Sequence, residues 1–159
     1  MTNTNLMFND RESWLTEAAN LILDDLLMPI SNRYSTTEYD RPTFRISVGF
    51  PKHTRGGKAV ATCFTKEASS DGVNEIFVNP EIDDEIEVMN ALSVALIHAI
   101  DNHESGPQHF FAMVARRAGM VGVLTACVPG STLKATLCEY RDLLGAFPHA
   151  KMIAGNMHK

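Results

Sequence analysis

The chain has 159 residues, of which 45% are hydrophobic and 21% charged, and its formal net charge is −5. This length predicts one domain that is large enough to bury a core, and the composition is ordinary for a soluble globular protein. The acidic balance disfavours non-specific nucleic-acid binding, which usually requires a basic surface. No apolar run reaches the roughly 18 residues that a membrane span needs, and the N-terminal residues lack a signal-peptide pattern, so no membrane association is expected.

The first predicted helix follows Asp10, a suitable N-cap, and it is expected to end at Pro29 because proline breaks a regular helix. Hydrophobic residues then alternate with polar ones in the stretch 43–50, which predicts a half-buried strand. Two further strands are predicted at 59–64 and 74–80. Because short turns separate the three strands, we expect them to form an antiparallel sheet.

Three more helices are predicted in the second half of the chain, over residues 83–102, 109–119 and 131–145. Gly119 suits the C-terminal end of the second of these helices, and Ser131 is a suitable N-cap for the third. The expected fold class is therefore α+β, with a small antiparallel sheet of about three strands packed against about four helices.

The three cysteines predict no disulfide framework and no structural zinc site. Their number is odd, and Cys63, Cys127 and Cys138 show no CxxC spacing. We expect reduced and mostly buried thiols in a cytosolic protein. No histidine lies near Cys138 in sequence, and Cys63 lies on a predicted strand, so a cysteine nucleophile is not favoured.

Potential metal ligands are concentrated in the segment SVALIHAIDNHESGPQHFF, residues 93–111. They are His98, Asp101, His103, Glu104 and His109. Histidines bind zinc, and a carboxylate beside a zinc-bound water acts as general base. If the helix continued, His98 and His103 would point roughly 140° apart, so they could share a metal only if the helix broke there. The glycine and proline of ESGPQ predict such a break, and Asp101 could instead simply orient the imidazole of His98.

Five segments in order along the chain carry a family resemblance: ISVGFP, ASSDGVNEIFVNPEIDD, VMNALSVALIHAID, SGPQHFFAMVARRAGMVGVLTA and LLGAFPHAKM. Together they resemble the SprT-like zinc metallopeptidases, in the form often carried by bacteriophages and prophages. The resemblance runs from about Trp14 to Met152 and implies a single SprT-like domain over residues 1–159 with a minimal zincin-like fold. Residues 1–9 and 153–159 are expected to be loose.

The resemblance also implies that the family's zinc site is degenerate here. The family binds zinc through both histidines of an HExxH helix and a third histidine in a GHG turn, with the glutamate as general base. When the second histidine is aligned with His98, Val94 replaces the first histidine, Ala95 the glutamate and Pro107 the third histidine. None of these side chains can bind zinc or move a proton, so we expect no catalytic residue and no metal. We expect Val94 and Ala95 to be largely buried instead.

The leading hypothesis is a catalytically inactive SprT-like phage protein, cytoplasmic in its bacterial host, that acts as a protein-binding scaffold without a cofactor. The cysteine-rich zinc ribbon that often follows in this form has no counterpart in the sequence, so that metal centre is also expected to be missing. The expected partner is a host or phage protein. Inhibition of a host defence complex, as by an anti-CRISPR protein, is a role suggested by analogy.

Two alternatives stay open. The first is a zinc metallopeptidase with relocated ligands, namely His98, His103 and His109, in which Glu104 or Asp101 is the base. The second is a nucleic-acid-binding module. Its candidate phosphate contacts are Lys52, Arg55, Lys58, Arg116 and Arg117.

Overall fold

The computed structural model describes residues 8–50, 60–104 and 109–153. The helices in these ranges are α1 (Arg11–Leu21), α2 (Met28–Arg33), α3 (Glu85–Ile100), α4 (Phe110–Ala118) and α5 (Ser131–Leu144). The strands are β1 (Phe44–Val48), β2 (Ala61–Cys63), β3 (Asn74–Val78), β4 (Met120–Val121) and β5 (Val128–Pro129). The predicted α+β class is confirmed.

The first helix begins where predicted but does not end at Pro29. The Asp10 carboxylate accepts a hydrogen bond from the backbone N–H of Ser13 at 2.7 Å and caps α1. A π-helical turn, Ile22–Leu27, then joins α1 to α2 without a break in the helical backbone. The predicted end at Pro29 is therefore wrong. In a regular α-helix the proline ring would clash with a backbone carbonyl of the preceding turn, and the wider π-helical turn before Pro29 accommodates it.

The three-stranded sheet is mixed, and the prediction of an antiparallel sheet is wrong. β3 lies in the middle, with β1 parallel to it on one side and β2 antiparallel to it on the other. The parallel register sets Ile46 beside Ile76, and both side chains are buried in the core. Parallel strands require a long crossover connection, and the stretch that contains β2 supplies it. β1 and β2 are therefore consecutive in the sequence but are not neighbours in the sheet.

The core is centred on α3, which packs against α1, α4, α5 and the sheet. Asp84 caps α3 by accepting a hydrogen bond from the backbone N–H of Glu87 at 2.9 Å. Trp14 on α1 is fully buried, donates its indole N–H to the carbonyl of Gly145 at 3.0 Å and packs on Phe147. The first helix and the end of the last helix are thus fixed to each other across the same core.

Two glycines shape the connection between α4 and α5. Gly119 ends α4 as predicted, with a φ of +102° that suits glycine. Gly130, not the predicted Ser131, precedes the first helical residue of α5, and no side chain caps this helix. A Cβ atom on Gly130 would lie 2.9 Å from the carbonyl oxygen of Gly119, so only glycine fits this close approach. The prediction of Ser131 as N-cap is wrong for this reason.

The two ends of the chain lie largely outside the described residues. The prediction that residues 1–9 are loose is wrong for Phe8, which packs against the core, whereas Ile153 is exposed. Across the described ranges, none of the helices combines the length and the apolar character needed to cross a membrane.

Candidate functional site

The chain reverses direction immediately after α3. Asn102 and His103 both adopt left-handed backbone angles, with φ of +53° and +62°, and the backbone N–H of His103 donates to the carbonyl of His98 at 2.9 Å. The Asn102 side chain donates to the carboxylate of Glu67 at 2.8 Å and holds the reversal in place. Asparagine tolerates the left-handed conformation better than most residues. The helix therefore ends before His103, earlier than the break that was predicted from the glycine and proline of ESGPQ.

This reversal stacks the imidazole ring of His98 against two other rings. The His103 ring lies face to face with it, with centroids 4.7 Å apart and planes 6° apart. The Phe111 ring of α4 lies 4.6 Å away at 14°. The Nε2 atom of His103 lies 2.8 Å from the carbonyl oxygen of Cys63 on β2, and because a carbonyl only accepts, this nitrogen carries the proton. We call His98, His103 and Phe111 the ring stack.

The Nδ1 atom of His98 is buried and has no hydrogen-bond partner among the described residues. Burial of the ring and the nearby charge of His103 disfavour the protonated form, and the carboxylate of Asp101 opposes them. The net effect lowers the pKa of His98 to about 4. At neutral pH this side chain is therefore an uncharged imidazole.

We expect the free energy of unfolding to decrease as the pH falls below neutrality, because His98 takes up a proton more easily in the unfolded chain. Its pKa is about 4 in the folded protein, against about 6.5 in an unfolded chain. Stability is therefore highest above about pH 6.5 and falls as the pH approaches 4. Partial exposure limits this contribution to the order of 2 kcal/mol. Chemical denaturation between about pH 5 and about pH 7.5 measures it.

His98→Phe is the matched variant for this measurement, because it keeps an aromatic ring in the ring stack and removes the titrating nitrogen. Its unfolding free energy should depend less on pH than that of the parent protein. His109→Gln, which removes an exposed histidine outside the ring stack, is the control. Equal pH profiles for the parent protein and His98→Phe would contradict the assignment to His98.

The ring stack does not let His98 and His103 bind one metal ion. A metal bound to imidazole lies in the ring plane, about 2 Å from the nitrogen. The planes of the two rings are stacked and nearly parallel, so they do not meet within that distance. In the part of the chain that the structure describes, no three His, Cys, Asp or Glu side chains are arranged to hold a metal. His109 lies exposed before α4, and the relocated ligand set is not brought together.

The positions aligned with the family's glutamate and first histidine differ in burial. Ala95 is 3% exposed and lies in the core, so the prediction of burial is confirmed for it. Val94 is less deeply buried than Ala95 but packs against the core. It lies one turn before His98 on the same face of α3, and His98 is also only partly buried. Pro107 lies outside the described residues.

The basic residues named as candidate phosphate contacts differ in their surroundings. Three of them lie outside the described residues: Lys52, Arg55 and Lys58. Arg116 donates to the carbonyl oxygens of Met120 and Gly122 and closes the turn into β4, so its guanidinium serves the fold. Arg117 is exposed and lies over the ring of Tyr34, with 3.7 Å between its guanidinium carbon and the ring centroid.

The cysteines are poorly suited to nucleophilic chemistry. All three are free, with Cys63 and Cys127 buried and Cys138 partly buried. Burial raises the pKa of Cys63 to about 12 and also raises the pKa of Cys127. Because the thiolate is the reactive form, these two residues are inert thiols at neutral pH.

A cleft of about 320 Å³ lies at the C-terminal end of α3. Carboxylates from two segments face it, together with the cations Arg41 and Lys66. The carboxylates are those of Glu38, Asp40, Asp101 and Glu104. Arg41 is engaged by Asp24 at 2.7 Å. Acidic residues thus outnumber basic ones in the lining of this cleft, which lies at the negative end of the α3 dipole.

Sequence reasoning missed Phe111 and Tyr34. Phe111 belongs to an apolar helical stripe, and nothing in that pattern separates a core phenylalanine from one that stacks on a histidine. Tyr34 is adjacent to Arg33 in the sequence, but its second cation, Arg117, comes from a distant helix. Only the fold brings these side chains together.

Comparison with known proteins gave no match to this chain among family models, curated proteins or solved structures. The fold and the site define a small α+β domain with a mixed sheet and a histidine ring stack at the end of its central helix.

Proposed function

We propose that the protein is a catalytically inactive SprT-like domain that acts as a protein-binding scaffold. The observation that carries this proposal is the burial of Ala95, at 3% exposure, where the family pattern has its general base. Two further features support it. Val94 occupies the position of a ligand, and His98 stacks on His103 in a geometry that two ligands of one zinc ion do not adopt. Zinc hydrolysis requires ligands and a base around one bound water.

The partner that we propose is a host or phage protein in the cytoplasm of a bacterial host, with inhibition of a defence complex of the anti-CRISPR type as one such role. The resemblance to a phage form of the family supports this choice. The hairpin of β4 and β5 is a candidate surface, because Val121, Val123 and Val128 are exposed. Val121 and Val128 also lie opposite each other in the hairpin register. Contiguous exposed apolar side chains mark interaction surfaces.

The proposal is tested by a pull-down from infected host cells, with thermal melts to check the folding of each variant. His98→Ala should retain partner binding, since a scaffold does not need an imidazole there. Val128→Asp should lose most of it, because a charge in an apolar interface costs several kcal/mol. Thr125→Asp is the matched control, since it adds the same charge at an exposed position of the same hairpin.

If His98→Ala alone abolishes biological activity, in a protein that still folds and still captures its partner, the site is catalytic and the proposal is wrong. If all three variants capture the partner equally, the valine hairpin is not the binding surface.

Metal content is expected to be far below one zinc ion per chain in protein purified without chelator. EDTA should leave the melting temperature unchanged, because no metal-binding free energy is linked to folding. Elemental analysis and thermal melts with and without EDTA measure both quantities. Stoichiometric zinc together with a chelator-sensitive melt would favour the alternative in which His98, His103 and His109 are ligands.

A further inference from the structure

Two exposed arginines are not used by the fold, although the chain is acidic overall. Within the described residues, other arginines pair with carboxylates or carbonyls. They are Arg11, Arg41, Arg45, Arg116 and Arg141. Arg33 and Arg117 contact neither kind of group there, and both lie against the ring of Tyr34. We call Arg33, Tyr34 and Arg117 the Arg–Tyr cluster.

The geometry of the Arg–Tyr cluster leaves its hydrogen-bond donors available. The guanidinium carbons of Arg117 and Arg33 lie 3.7 Å and 5.4 Å from the centroid of the Tyr34 ring. Stacking on a ring uses the flat face of a guanidinium group, whereas its N–H donors point outward in its plane. Two positive charges near one ring repel each other, and a bound anion reduces this repulsion. The cluster therefore favours a carboxylate or phosphate group at the pocket that its three residues line.

The cluster also has an apolar side. A pocket of about 240 Å³ is lined by its three residues together with Pro29 and Ile30. Pro29 is exposed and Ile30 is half-buried, and Tyr34 itself is 43% exposed. Tyrosine and arginine are the residue types that dominate binding energy in protein interfaces. The pocket can therefore take an apolar side chain beside the anionic group.

We infer that the Arg–Tyr cluster is a docking site for an acidic segment of a partner protein. A carboxylate of that segment is held by the guanidinium groups of Arg33 and Arg117, and a neighbouring apolar side chain packs on Pro29 and Ile30. This inference rests on the proposed protein-binding function. It adds the chemistry that the partner presents at this surface.

The charge of the chain favours a protein segment over a nucleic acid. The net charge of −5 repels a long polyanion more strongly than a short acidic segment, and affinity for nucleic acid grows with the number of phosphates that the protein neutralises. A short acidic segment needs only the two guanidinium groups that the cluster supplies. A charge-assisted, bidentate contact to a carboxylate is strong for its size.

The inference is tested by NMR titration of the isotopically labelled full chain, observing the side-chain Nε–Hε signals of arginine. The probe is the peptide acetyl-Glu-Glu-Phe-Glu-Glu-amide, and the matched control peptide has glutamine in place of each glutamate. We expect saturable shifts that are largest at Arg33 and Arg117. The glutamine peptide should bind at least about tenfold more weakly, because it lacks the charged acceptors.

Three variants locate the binding. Arg33→Glu and Arg117→Glu should abolish the shifts, whereas Arg141→Glu, which reverses a charge on α5 that does not line the pocket, should leave them unchanged. Arg117→Gln replaces Arg117→Glu if the latter does not give a dispersed spectrum. The inference is overturned if the acidic peptide gives no saturable shift. It is also overturned if an oligothymidylate of about eight nucleotides binds the cluster more tightly than the peptide.

The same variants separate this inference from the proposed function. If a partner is recovered from infected cells equally well with Arg117→Glu and with the parent protein, the docking site is wrong and the scaffold proposal stands. If the acidic peptide binds the cluster but no partner is recovered, the docking chemistry stands and the scaffold proposal fails.

Discussion

Replacing Ala95 with glutamate should lower the free energy of unfolding by about 3 kcal/mol or more. Ala95 is 3% exposed, and the core cluster to which it belongs is apolar. A carboxylate introduced there is either buried as a charge or protonated at a cost, and its larger side chain also overfills a packed helix interface. Denaturation in urea, followed by circular dichroism, gives the change in stability.

The control for this experiment is Ala135→Glu, the same substitution on the exposed face of α5. Its effect should stay within about 0.5 kcal/mol, as for most surface changes. If Ala95→Glu is as mild as this control, the face of α3 that carries Ala95 is open to water. A cleft suited to a general base would then be present, and the proposal of a lost catalytic site would fail.

Replacing Phe111 with alanine should cost about 3–5 kcal/mol, the usual range for a buried phenylalanine. Phe111 is 1% exposed and stacks on His98 at 4.6 Å. Its removal leaves a cavity and also lets water reach the imidazole. The pKa of His98, about 4 in the parent protein, should therefore rise towards its ordinary value. Urea denaturation measures the first effect, and an NMR titration of the His98 ring measures the second.

Phe111→Leu is the matched variant for this prediction. Leucine keeps most of the apolar volume and removes the aromatic ring, so it should cost less stability and leave the pKa of His98 low. A pKa that stays low in Phe111→Ala would show that other side chains exclude water from His98. A pKa that rises equally in both variants would assign the effect to ring stacking instead of burial.

The helices were predictable because their signals are local. Asp10 and Gly119 act at helix ends as their residue types suggest, and apolar periodicity located α3 and α4. The prediction that the first helix ends at Pro29 also used a local rule, namely that proline breaks a regular helix. The rule failed because the π-helical turn before Pro29 changes the helix geometry at that point. The direction of β1 relative to β3 is a tertiary property. Strand periodicity carries no information about which neighbour a strand selects.

The candidate site was predictable in its members but not in its geometry. His98 and His103 were identified by residue type, and their relation depended on two left-handed residues after α3 that helical periodicity does not specify. The side-chain environment of Arg117 was equally impossible to predict from the sequence. Arg116 and Arg117 are adjacent in the sequence, yet one closes a turn and the other lies on Tyr34. Neighbouring positions on a helix point in different directions, and only the packed fold shows what each one meets.

The central position of β3 determines when the sheet can form during synthesis. β1 and β2 each pair with β3 and not with each other, although both precede it in the sequence. A ribosome-bound chain that has not yet exposed β3 therefore has no strand pairing for either of them. β1 packs against α1, which is synthesised before it, but its hydrogen-bonding edge remains unpaired until β3 has emerged. The parallel pair closes a long loop, which slows folding, so nascent chains that end before β3 are the ones most exposed to aggregation and chaperone binding.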